Sequence, residues 1–105
     1  MSIHIDSCAA RETIVVNTLS NVYELIVLRD DEGAVHVRGG RHFPEFSRVL
    51  FLGSTAAGGP LHPRTIEVGL RMQFIYEGQL VTTSAVQSLS RRPVSAFSTD
   101  CPAAR

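Results

Sequence analysis

Five arginines, Arg38, Arg41, Arg48, Arg64 and Arg71, fall in the middle of the chain with His42, Phe43 and Phe46 interleaved among them. A guanidinium presents a planar fork of donors that suits phosphate, carboxylate and aromatic faces. Small barrels that hold single-stranded nucleic acid join a positive groove to stacking aromatics. These eight residues are therefore the candidate binding face, for an anion, a nucleic acid or another protein surface. Within them, His42-Phe43-Pro44-Glu45-Phe46 sets two phenylalanines around a proline. Two roles fit that segment: a plug folded over the open end of a barrel, or an exposed aromatic anchor of the kind found at interface hot spots.

The overall charge argues against nucleic acid as the first reading. Ten basic and ten acidic residues cancel, and the pI is about 6.9, whereas nucleic-acid readers are usually strongly basic. The charges are segregated, however. Residues 1–35 hold two arginines against six acids, a balance of −4, and residues 36–71 hold five arginines against two acids, a balance of +3. Segregation of this kind describes complementary surfaces that join within the fold or between subunits, and the second option favours a homo-oligomer. All ten basic residues are arginine, a usage that codon bias in a GC-rich genome also produces.

No other pattern specifies a reaction. His4, His36, His42 and His62 lack the close spacing of a metal motif, so no metal or other cofactor is expected. No serine sits in a G-x-S-x-G elbow, and the acids at 30–32 read as turn formers, so no catalytic residue can be named. The run Gly53-Ser-Thr-Ala-Ala-Gly-Gly-Pro60 lacks the GK[ST] ending of a phosphate loop and reads as a strand connector. Cys8 and Cys101 belong to no CxxC pair and read as free thiols. Arg91-Arg92-Pro-Val-Ser95 reads as solvated tail. No small-molecule ligand is legible, no apolar run nears the roughly 18 residues of a membrane helix, and residues 1–10 do not form a secretory signal. A cytoplasmic protein of bacterial style is the expectation.

The elements that must position these residues follow a period of two. Residues 12–18 and 21–28 are rich in valine, isoleucine and tyrosine, as strands are. A turn at Arg29–Gly33 then leads to a strand ending at Gly39-Gly40. With a four-residue loop, Leu28 faces Val35 and Ile26 faces Val37, which leaves Tyr23, Leu25 and Val27 on the other face opposite His36 and Arg38. Arg41–Ser47 reads as irregular, 48–53 as a strand and Ser54–Pro63 as a loop. From Ile66 to Tyr76 six apolar residues alternate strictly with a second set, the signature of a half-buried strand, long enough to need relief at Gly69. Glu77-Gly78 closes a hairpin into 79–83, and 84–90 is a last strand or a short 3-10 turn.

The runs VYEL, VRGGRHFPEF, GSTAAGG, IEVGLRMQF and TTSAVQS, over about residues 14–90, resemble a family of short bacterial proteins of unknown function. That resemblance implies a recurring core domain and no activity.

The expectation is an all-β fold, a small antiparallel barrel or compact two-sheet sandwich of five to seven strands. It comprises an N-terminal arm (1–11), one domain (12–90) and a C-terminal tail (91–105). Function is expected to be that of a non-enzymatic, self-associating interaction module. The alternative is a weak nucleic-acid or anion binder using the arginine-rich face.

Overall fold

The computed structural model of the protein describes residues 1–29 and 33–92. Residues 30–32 of the expected turn and residues 93–105 of the expected tail, with Phe97, Cys101 and most of the Arg91–Ser95 motif, lie outside the described residues. The strands are β1 (Ser2–His4), β2 (Thr13–Thr18), β3 (Val22–Val27), β4 (Ala34–Gly39), β5 (Phe43–Thr55), β6 (Leu61–Pro63), β7 (Thr65–Glu67), β8 (Arg71–Tyr76) and β9 (Gln79–Arg92). A 3-10 turn, Ile5–Ser7, follows β1. The fold is all-β. Seven strands pair in the order β4-β3-β2-β9-β8-β5-β6, and an added β4–β5 pairing closes part of the ring, while β1 and β7 form a separate ribbon.

Two long strands turn the corners of this barrel. β5 pairs through Phe43–Leu50 with β4 and through Leu50–Thr55 with β8, with the second register shifting between Phe51 and Gly53. β9 divides in the same way, pairing with β8 from Gln79 to Ala85 and with β2 from Val86 to Arg92. A strand shared in halves by two neighbours has to bend, and bulges are where antiparallel strands do so.

Several expected boundaries are corrected. Arg41–Ser47 is not irregular throughout, because β5 begins at Phe43, opposite Gly39 of β4. Pro44 is tolerated there because this half of β5 has a partner on one side only, so its missing N–H removes no second ladder bond. Ser54 and Thr55 extend β5, and Leu61–Pro63 is strand rather than loop. Residues 84–90 belong to a strand that continues to Arg92.

The β3–β4 hairpin is one residue out of the expected register: Leu25 faces Val37, Ile26 faces His36 and Val27 faces Val35. A one-residue slip exchanges the two faces of a hairpin. Tyr23, Leu25 and Val27 consequently point into the core with Val35 and Val37, and Glu24, Ile26, His36 and Arg38 point outward. This register buries five apolar side chains together, where the expected one set buried residues opposite His36 and Arg38.

The alternation from Ile66 to Tyr76 is likewise not one strand. β7 and β8 pair in different sheets and are separated by a turn in which Leu70 N–H donates to Glu67 O at 3.1 Å. Gly69 occupies that turn with φ +95°, a conformation that costs a residue with a Cβ. The Glu77-Gly78 hairpin forms as expected. Both residues have positive φ, +50° and +76°, and Tyr76 faces Gln79, the pattern of a type I′ turn.

The core fills the barrel. Phe43, Phe51 and Phe74 lie at its centre among Ile14, Val16, Leu25, Val35, Val37, Met72 and Val86. Ile3, Ile5 and Cys8 from the N-terminal arm are buried in the same cluster. Ile5 N–H donates to Arg64 O, and Val68 N–H donates to Met1 O, which ties the arm down.

Candidate functional site

The eight candidate residues are distributed to different parts of the barrel. Phe43 is fully buried, its ring edge-on to Phe74 at 5.9 Å and to Tyr76 at 5.3 Å. It is the plug of the two roles considered. Phe46, three residues on, is 40% exposed, and the Arg38 guanidinium lies 4.3 Å from its ring centroid. Alternation along β5 accounts for the opposite fates of the two rings.

Arg38 also donates from Nε to Glu24 at 3.0 Å, so its charge is answered across the β3–β4 hairpin. Arg48 lies opposite His36 in the neighbouring outward row. Arg64 pairs with Asp6 at 3.3 Å, and Arg71 begins β8 opposite Thr55 and Ala85. Arg41 and His42 sit in the β4–β5 turn, both exposed.

Much of the segregated charge is thus joined within the fold. Arg38–Glu24, Arg64–Asp6 and Arg91–Glu12 each link an acid from the first 35 residues to an arginine from beyond them. The last pair is the most buried. Glu12 keeps only 5% of its surface, accepting from Arg91 Nη2 and from Ala9 N–H, each at 3.0 Å. Hydrogen bonding from Arg91 holds the Glu12 carboxyl below the usual range despite the opposing effect of burial. Burial, reinforced by the nearby Glu12 charge, pushes the Cys8 thiol up, which makes it a poor nucleophile.

Two cavities open at opposite ends of the β3–β4 hairpin. One, about 270 Å³, is bounded by Ile5, Val27, Ala34 and the side chains of Asp6, Arg29 and Arg64. Its arginines are engaged: Arg29 Nη1 donates to Cys8 O at 3.2 Å, and Arg64 pairs with Asp6.

The other, about 240 Å³, is the mouth that contains Arg41 and His42. Ser20 and Asn21 from the β2–β3 turn, Tyr23 from β3, and Thr82, Thr83 and Ser84 from β9 complete it. The turn is fixed by Thr18, whose Oγ1 accepts from Asn21 N–H at 3.1 Å and donates to Asn21 O at 3.0 Å. Ser20 N–H donates to Ser84 Oγ at 3.2 Å and Leu19 N–H to Ala85 O at 3.1 Å, which holds the turn against β9. Tyr23 is almost wholly buried, and burial pushes its phenol up, partly offset by Asn21.

A third feature is apolar and faces outward. Leu50, Ile75 and Leu80 lie side by side across β5, β8 and β9, with Leu52 at the β5 bulge beside them. Leu50, Leu52 and Ile75 are half-buried and Leu80 is 56% exposed.

Among the described residues, no helix is long and apolar enough to cross a membrane, and no three His, Cys, Asp or Glu side chains gather. The chain matches no family model, no curated protein and no solved structure.

Proposed function

We propose that the protein is a non-enzymatic interaction module that associates with a second copy of itself through the outer face of β5, β8 and β9. The observation that carries this reading is the outward row Leu50–Ile75–Leu80 with Leu52 beside it. Adjacent apolar side chains on the water side of a sheet lose free energy to hydration that a partner surface would recover. Polar neighbours Arg48, Gln73 and Thr82 supply the rim such a patch needs. A two-fold axis through the row makes it self-complementary, Leu80 of one copy meeting the same strands of the other. The three arginine–glutamate or arginine–aspartate pairs formed within the fold leave the apolar row, rather than the segregated charges, as the adhesive element. A buried thiol at Cys8 suits a reducing compartment such as the bacterial cytoplasm, and we place the protein there.

Sedimentation velocity from micromolar to millimolar protein tests the reading. A shift from 11.5 kDa towards twice that mass, abolished by Leu80→Glu with an unchanged circular dichroism spectrum, is the expected result. A strict monomer at millimolar concentration overturns it.

A further inference from the structure

We infer that the mouth between the β2–β3 turn, the β4–β5 turn and β9 is a binding site for a phosphate group on a small molecule. Arg41 is the first ground. Arg38, Arg64 and Arg91 are each paired with an acid, whereas Arg41 makes no ion pair with any described residue. None of the side chains lining the mouth is a carboxylate. An exposed guanidinium over a polar cavity with no anion of its own is a site of uncompensated positive potential.

The second ground is the state of the hydroxyls. Thr83 and Thr18 are committed, since Thr83 Oγ1 donates to Ser84 O at 2.8 Å and Thr18 Oγ1 to Asn21 O. Ser84 Oγ accepts from Ser20 N–H, and Thr82 Oγ1 accepts from Gln73 Nε2 at 3.4 Å. Neither of those two hydroxyls donates to a described residue, nor does that of Ser20. A hydroxyl whose oxygen already accepts has its proton left to give. Three hydroxyl protons therefore remain available around the mouth, from Ser20, Thr82 and Ser84, together with the Arg41 fork and the His42 imidazole.

Geometry selects the ligand class. Donors come from three elements that line the cavity, the two turns and β9. A planar carboxylate is satisfied by one fork, whereas a tetrahedral phosphate carries oxygens in several directions and takes donors from each. The volume of about 240 Å³ equals roughly eight waters at about 30 Å³ each, room for a phosphate with a small substituent. This inference is independent of self-association, because the mouth and the outward apolar row use different side chains, Thr82 at the rim excepted.

The test is an NMR titration of the full chain with inorganic phosphate, with a phosphate monoester, and separately with acetate, at constant ionic strength. Expected are saturable shifts confined to Ser20, Asn21, Arg41, His42 and Thr82–Ser84, with phosphate at least about tenfold tighter than acetate. Arg41→Gln should weaken phosphate by about tenfold or more, the effect of losing a charge-assisted donor. Its thermal midpoint should change little, since the Arg41 side chain makes no hydrogen bond or ion pair with a described residue. Non-saturating shifts, equal affinity for acetate, or undiminished phosphate binding by Arg41→Gln would each overturn the assignment. Binding with the expected pattern only when the phosphate is inorganic, and none with a phosphate monoester, would overturn the small-molecule part of it.

Discussion

Replacing Phe43 by alanine removes a ring with none of its surface exposed, packed edge-on against Phe74 and Tyr76. Truncating a buried phenylalanine costs about 3–5 kcal/mol through lost transfer energy and the cavity left behind. The upper half of that range applies, because two aromatic contacts, each worth about 0.5–1.5 kcal/mol beyond area, go with it. Domains of this size have a total stability of about 5–15 kcal/mol. With a urea slope of about 1.5 kcal/mol/M, a loss of about 4 kcal/mol lowers the unfolding midpoint by between roughly 2 and 3 M.

Phe46→Ala is the control. That ring is 40% exposed and its main specific contact is with the Arg38 guanidinium, worth about 0.5–1 kcal/mol at an exposed site. Urea unfolding followed by circular dichroism compares the two variants with the wild type. Equal losses in the two variants, or a loss below about 1 kcal/mol for Phe43→Ala, would refute the plug assignment.

Three further outcomes follow from the structure. A Cβ at Gly39 would stand 2.2 Å from Val22 O with φ at +139°, so Gly39→Ala should destabilise by more than about 2 kcal/mol. Gly78→Ala, strained at φ +76° but meeting nothing within 4 Å, should cost only about 1 kcal/mol; thermal melts compare them. Glu12 has a folded pKa below its unfolded value, so its pairing stabilises the fold above the unfolded pKa of about 4.3 and the benefit fades as pH falls through the lower folded value. Urea midpoints measured from pH 6 down to pH 3 should therefore fall more steeply for the wild type than for Glu12→Gln. Leu25→Ala should cost about 2–5 kcal/mol and Ile26→Ala about 1 kcal/mol or less, as the inward and outward faces of β3 require; chemical denaturation checks the order, and the reverse order would restore the slipped register.

The strand pattern was legible because alternation and turn chemistry are local. Glu77-Gly78 announced its turn, whereas Gly69 suggested a bend within one long strand where the chain instead turns between two sheets. The register of β3 against β4 was not, since either register pairs apolar residues across the hairpin and a slip of one residue exchanges the faces. β5 was under-read at its start because Pro44 argues against a strand until the missing second neighbour is known. The corner-turning of β5 and β9 is set by pairings between residues far apart in sequence.

Legibility of the candidate sites followed the same division. The arginine set suggested one face, but Arg38 and Arg64 are answered by acids and Phe43 is core. Arg41 and His42 of that set line the polar mouth, and the fold alone brings Ser20, Thr82 and Ser84 beside them. One signal for the apolar row was present: Ile75 is the only large apolar member of the outward set Thr65, Glu67, Gly69, Arg71, Gln73, Ile75 and Glu77.

Self-association through the outer face of β5, β8 and β9 is tested most directly by amide and methyl NMR spectra recorded over a dilution series. Docking of a second copy predicts that the signals of Leu50, Leu52, Ile75 and Leu80 move together with concentration and trace one binding curve, while those of the core remain still. Signals unchanged with concentration, or changes gathered at another surface, would contradict it.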